Sequence, residues 1–144
     1  MKIAIAADHG GYELKEVIKK YFTDIEWLDL GTDSSDSVDY PDFAHKMAKT
    51  LHNNEASLGI LICGTGVGIS IAANRHKGIR AALIYSSEVA RLAKQHNNAN
   101  VLVFGGRTMD AGDVIGYIKI FLHEDFEDGR HQRRLDKIEQ WEEC

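Results

Sequence analysis

The sequence predicts an α/β protein: a three-layer α/β/α sandwich on a five-stranded parallel sheet, doubly wound and Rossmann-like. Three observations predict it. Five short runs rich in aliphatic and β-branched residues alternate with stretches that place apolar residues every three or four positions. Three of those runs, Ile3 to Ala7, Ile60 to Cys63 and Val101 to Phe104, are apolar throughout, as strands covered on both faces are. No linker, repeat or low-complexity segment interrupts the alternation, so residues 1–144 read as a single domain, long enough to bury a real core.

Taken in order, strands are expected at Lys2–Ala7, Glu26–Leu30, Gly59–Cys63, Arg80–Ile84 and Asn100–Phe104. Between the first two, Leu14, Val17, Ile18, Tyr21 and Phe22 follow a helical period, with Lys15, Glu16, Lys19 and Lys20 assigned to the solvent side. Pro41 followed by Phe43, Ala44, Met47, Ala48 and Leu51 predicts a second helix with proline in its first turn. Further helices are expected from about Ile69 to Asn74, Ser87 to His96 and Asp110 to His123. A charged segment from His131 to Trp141 closes the pattern, with Leu135, Ile138 and Trp141 on one face.

Composition excludes several functions. A net charge of −5 argues against a nucleic-acid footprint, which is normally basic. No apolar run approaches the roughly 18 residues that span a bilayer, so no membrane partner is expected. The opening residues read as a strand rather than as a signal peptide. With only Cys63 and Cys144 there is neither a disulfide framework nor a CxxC pair, and a reducing cytoplasm is the expected compartment. Metal-binding spacings such as HExxH are also missing, so no metal site is expected.

In a doubly wound sheet, ligands bind beyond the carboxyl ends of strands where the strand order reverses. If the first and third strands are central neighbours, Asp8, His9 and the glycine pair Gly10-Gly11 meet the stretch Cys63-Gly64-Thr65-Gly66-Val67-Gly68 there. A strand, glycines and a helix start make an anion site, because free N–H groups and the helix dipole face the ligand. The dinucleotide fingerprint fails, since the sixth position is Ile69 counted from Gly64 and Ile71 counted from Gly66. The Gly-Lys-Ser/Thr phosphate loop is absent as well. The glycines serve either tight packing or close approach of a ligand.

Cys63, at the junction of strand and helix, is either a small buried side chain or a base or nucleophile favoured by the helix N-terminus. Thr65 is a helix cap or a donor to a substrate oxygen. Asp8 is a cap, or with His9 it faces the crevice. His45 and His52 lie seven apart on an amphipathic helix and are read as solvated. His96, closing the fourth helix, is placed to meet free carbonyls. Arg130 and Arg134 are i, i+4 neighbours: a solvated face, or two forks for a phosphate group.

The motifs Asp8-His9-Gly10, Gly31-Thr32, Asp39-Tyr40-Pro41, the whole stretch from Ile60 to Ser70, Gly78-Ile79-Arg80-Ala81, Gln95-His96-Asn97, Asn100-Val101-Leu102 and Gly129-Arg130-His131 occur in that order. Together they resemble the sugar-phosphate isomerase family that holds the type B ribose-5-phosphate isomerases and the galactose- and allose-6-phosphate isomerases. The resemblance spans essentially the whole chain. It implies interconversion of ribose 5-phosphate and ribulose 5-phosphate, a pentose phosphate pathway reaction, without metal or organic cofactor. It also implies roles for particular residues. Cys63 would be the base that moves a proton between C2 and C1 through a cis-enediol, and His96 would assist furanose opening. Asp8 and His9 would contact the sugar and phosphate ends, with Asp8 and Thr65 counted among the catalytic positions. Gly64, Thr65, Gly66, Val67 and Gly68 would supply donors to the enediolate. Asn97, Arg107, Arg130 and Arg134 fall at binding positions, the arginines mainly for phosphate, and Tyr40 is a further pocket residue. A six-carbon sugar phosphate is the nearest alternative substrate, and a non-catalytic phosphosugar-binding module is the alternative of another class.

The predicted fold adds a geometric expectation. A helix between parallel strands runs back across the sheet, so His96 and Asn97 should end far from Cys63 in one subunit. Serving one site then requires a homodimer with composite sites, alone or as part of a dimer of dimers. The C-terminal helix, at about 131–142, is expected to take part in dimer and phosphate contacts.

Overall fold

The computed structural model describes residues 1–141 and contains five parallel strands and six helices. In chain order they are β1 (Lys2–Ala7), α1 (Tyr12–Tyr21), β2 (Glu26–Asp29), α2 (Tyr40–His52), β3 (Leu58–Cys63), α3 (Val67–Asn74), β4 (Ala81–Leu83), α4 (Ser87–Gln95), β5 (Val101–Gly105), α5 (Ala111–His123) and α6 (Arg130–Glu139). The expected boundaries hold to within about two residues, the usual scatter at element ends. Cys144 lies outside the described residues.

The sheet order is β2-β1-β3-β5-β4. Alternation along the central strands splits the core in two. Ile3, Ile5, Ile60, Ile62, Leu102 and Phe104 pack with Leu14, Ile18, Ala90, Val114 and Ile118 from α1, α4 and α5. Ala4, Ala6, Leu61, Cys63, Val101 and Val103 pack with Ala44, Met47, Ile69 and Ala73 from α2 and α3. The central runs are therefore apolar throughout because each face meets its own helical layer. The direction in which strands are added across the sheet reverses between β1 and β3, since β1 leads outward to β2 while β3 leads the other way to β4. That is the switch point, and β1 and β3 do pair, with Ala7 opposite Ile62.

Two helix faces differ from expectation. In α1, Val17 and Tyr21 are exposed, whereas Lys15 is 1% exposed. Its ammonium reaches past the sheet edge to both carboxylate oxygens of Asp29 on β2, at 2.8 and 2.7 Å. The lysine stem is long enough to lie in the core while its charge meets a partner. In α6, Leu135 is buried, but Ile138 and Trp141 are 61% and 71% exposed, and Trp141 lies past the helix end.

Candidate active site

The carboxyl ends of β1, β3 and β5 converge through backbone contacts that only glycine permits. A Cβ on Gly10 would stand 3.0 Å from the Gly64 nitrogen, and one on Gly106 would stand 2.3 Å from the Gly10 carbonyl oxygen. The β3 loop is tied to the β5 loop as well: Gly106 donates to the Cys63 carbonyl at 2.8 Å and Arg107 to the Gly64 carbonyl at 2.9 Å. Close packing is thus one purpose of these glycines.

Cys63 ends β3 with 4% of its surface exposed. Its Sγ accepts the Gly66 N–H at 3.2 Å. Gly66 holds φ +83° as the residue before α3, the left-handed conformation that aims its N–H back at the sulfur. Thr65 Oγ1 accepts the Val67 N–H at 3.2 Å in a local turn, but the N-cap of α3 is Gly66, so Thr65 is not the helix cap. Among the described residues, no protein acceptor takes the N–H groups of Gly64, Thr65 or Gly68. Three unpaired amides beside a helix N-terminus and a buried sulfur can receive a developing oxyanion.

The walls come from neighbouring loops. Asp8 is 7% exposed, and its Oδ1 accepts from Gly10 and Gly11 at 2.8 and 3.2 Å. It shapes the β1–α1 turn while standing at the end of a central strand. His9 Nδ1 accepts the Val38 N–H at 3.2 Å, which assigns a neutral ring its proton on Nε2. Asp8 and His9 line a groove of about 410 Å³ together with Val38, Tyr40 and Pro41. The Tyr40 ring rests on Gly68, where a Cβ would approach the ring to 2.6 Å. The Arg107 side chain covers Gly64, with Nη1 3.5 Å from the position of a Cβ there. Cys63, Thr65, Gly64 to Gly68, Asp8, His9, Tyr40 and Arg107 are therefore gathered at the carboxyl ends of the central strands.

His96, Asn97, Arg130 and Arg134 are elsewhere. α4 runs back from the end of β4, and the segment after it returns to the amino edge, where Asn100 accepts the Gly59 N–H at the start of β3. The Asn97 and Asn98 carbonyls hold the Arg80 guanidinium there. β3 from Gly59 to Cys63 separates the two edges by roughly 13 Å. At that far edge the His96 ring stacks on His131, and His131 follows Arg130 at the start of α6. His131 belongs to the Gly129-Arg130-His131 motif but carries no role in it, and no motif takes in Glu127. The signal that could have marked them is Asp128-Gly129, a left-handed pair with φ of 64° and 60° that turns the chain into α6.

A family model described as Ribose/Galactose Isomerase matches residues 3–138. The chain belongs to this family. It is 43% identical to ribose-5-phosphate isomerase B of Escherichia coli over 139 residues, covering 95% of this chain and 93% of that protein. A crystal structure of a ribose 5-phosphate isomerase from Thermotoga maritima superposes with a TM-score of 0.95 at 52% identity, covering 97% and 98% of the two chains. Ribose-5-phosphate isomerase B of Mycoplasma genitalium, solved with bound ribulose-5-phosphate, superposes with a TM-score of 0.90 at 47% identity, covering 96% and 94%. No helix among the described residues is long and apolar enough to cross a membrane.

Proposed function

We propose that this protein interconverts ribose 5-phosphate and ribulose 5-phosphate, with Cys63 as the base. The observation that carries the reading is the Cys63 sulfur, buried at the end of β3 where it accepts the Gly66 N–H, in a loop whose Gly64, Thr65 and Gly68 amides have no protein acceptor among the described residues. Aldose–ketose isomerisation needs one base near two adjacent carbons and donors for the oxygen that becomes anionic. Cys63 takes the proton from C2 of the open-chain aldose, and the electron pair moves into a C1–C2 double bond as O1 becomes anionic. The amides of Gly64, Thr65 and Gly68 face that charge. A proton passes from O2 to O1, leaving the charge on O2, and as the C2–O2 bond becomes the carbonyl the carbon-bound proton returns to C1, giving the ketose. Binding to the phosphate, far from the reacting carbons, fixes the position of the sugar.

The site is composite. Cys63 and the residues around it stand at one edge of the sheet, and His96, Asn97, Arg130 and Arg134 stand at the other. A homodimer that sets one subunit's far edge against its partner's crevice completes two such sites. Val67 and Ile71 on α3, with Ile138 and Trp141, are large apolar side chains left exposed in the single chain, at 49–71%. They supply apolar area for that interface.

A coupled assay of ribose 5-phosphate turnover, with and without chelator and against allose and galactose 6-phosphates, tests the reading. Chelator-insensitive preference for the pentose phosphate is expected. Preference for a six-carbon substrate would reassign the substrate, and no turnover of any of the three would leave a binding module.

A further inference from the structure

At the far edge, three titratable side chains meet that no step above uses together. The His96 and His131 rings lie 4.1 Å apart between centroids and 12° from parallel. Glu127 Oε1 is 3.7 Å from His96 Nε2 and 3.5 Å from His131 Nε2. His131 is 5% exposed, and its Nε2 is the one buried side-chain polar atom without a hydrogen-bond partner among the described residues. His96 keeps about a third of its side-chain surface open.

The arrangement is built, not incidental to a loose loop. Glu127 N–H donates to the Gln95 carbonyl at 3.0 Å, and Gln95 Nε2 donates to Glu124 Oε2 at 2.7 Å, strapping this segment to the end of α4. The left-handed pair Asp128-Gly129 then starts α6 with His131 against His96. A single metal ion does not fit between these rings. Imidazole binds metal in its own plane, and an ion lying in one of two stacked planes is out of the other.

We infer that His131 and Glu127 are positioning residues for His96, the first as a plate that fixes its ring and the second as the carboxylate that keeps a proton on it. This rests on the isomerase reading given above. Two imidazolium rings at this spacing repel, so the pair takes up one extra proton, and one positive charge, rather than two. The groups facing His131 are His96 from α4, Glu127 from the preceding segment, and Arg130 and Arg134 from its own helix. Burial, then His96 and the arginines, hold the His131 ring below the ordinary histidine range, against the pull of Glu127. Of the two rings His96 is the open one, so it is the one that can meet a substrate. When ribose 5-phosphate opens, His96 gives the pair's extra proton to the ring oxygen as the C1–O4 bond breaks. The O1 hydroxyl loses its proton to water as the carbonyl forms.

The ketose supplies a test that separates positioning from general damage. Ribulose 5-phosphate has its C5 oxygen esterified and cannot close a furanose ring on C2. Exchange of its C1 hydrogen in D2O, followed by NMR, needs Cys63 but no ring opening. Glu127→Gln and His131→Ala are expected to lower ribose 5-phosphate turnover about tenfold, less than the roughly 10²–10⁴ that loss of an acid itself costs. The ratio of exchange to isomerisation, both measured from ribulose 5-phosphate, rises by a similar factor. His131→Phe keeps the plate and restores turnover to within about threefold of the parent. The alkaline limb of the pH–turnover profile moves to lower pH in Glu127→Gln. Turnover within twofold of the parent in both Glu127→Gln and His131→Ala, or an equal fall of exchange and isomerisation, would overturn the inference. A parent enzyme that neither isomerises nor exchanges would instead refute the isomerase reading on which it rests.

Discussion

The Gly10 and Gly64 backbones touch across the switch point, so closely that a methyl group on Gly10 would stand 3.0 Å from the Gly64 nitrogen. Two loops from different strands are thereby fixed relative to each other before any substrate arrives. Prearranged donors are worth more than mobile ones, because no reorganisation remains at the moment of reaction.

That junction makes a prediction about glycine. Gly106→Ala places a Cβ 2.3 Å from the Gly10 carbonyl oxygen, a backbone atom that cannot step aside alone. The expected cost is about 1–3 kcal/mol of stability, as for overpacking, with a larger proportional loss of turnover. Gly116→Ala is the contrast: it lies inside α5 with nothing within 4 Å of the added carbon. It should gain about 0.5–1 kcal/mol from helix propensity and leave turnover unchanged. Denaturant titration of both variants, with kinetics on each, checks the pair.

Lys15 and Asp29 give a prediction with a pH sign. Burial works against the Asp29 charge, but hydrogen bonds from Lys15, Lys19 and the Gly31 N–H outweigh it and hold the carboxyl below its ordinary range. A carboxylate lowered by folding stabilises the fold above its unfolded pKa near 3.9 and loses that contribution as pH falls through the folded value. The denaturation midpoint should therefore drop faster below about pH 4 in the parent than in Asp29→Asn. At neutral pH, Lys15→Ala should cost about 2–4 kcal/mol, because it leaves a gap and weakens the hold on a half-buried carboxylate. Lys15→Met, which keeps the stem, should cost less.

The same lysine shows where the sequence stops being legible. The central strands could be read because burial on both faces leaves a continuous apolar run in Ile3 to Ala7 and Ile60 to Cys63. The switch-point crevice followed from strand order, and Asp8, His9, Thr65 and Cys63 do meet there. Lys15 was assigned to the wrong side because residue type reports the charge and hides the aliphatic stem. Helical spacing places Val17 and Ile138 on apolar stripes without saying what covers them. Glu127 and the role of His131 are not legible because their partner, His96, is about thirty residues away and meets them only through the turn at Asp128 and Gly129.

The two-edge distribution of residues predicts complementation between subunits. A Cys63→Ala chain retains the far edge, and a His96→Ala chain retains the crevice. Verified heterodimers of the two should recover up to about half of the parent's sites and a measurable fraction of its turnover. Heterodimers as inactive as each variant alone would show that every site is built within one chain.

Replacing the Cys63 sulfur tests the central claim most directly. Ribose 5-phosphate binding to Cys63→Ala, followed by calorimetry, should stay close to the parent, while turnover falls by roughly 10²–10⁴-fold, the range for a lost general base. Full turnover in that variant with binding intact would contradict the assignment of Cys63 as the base.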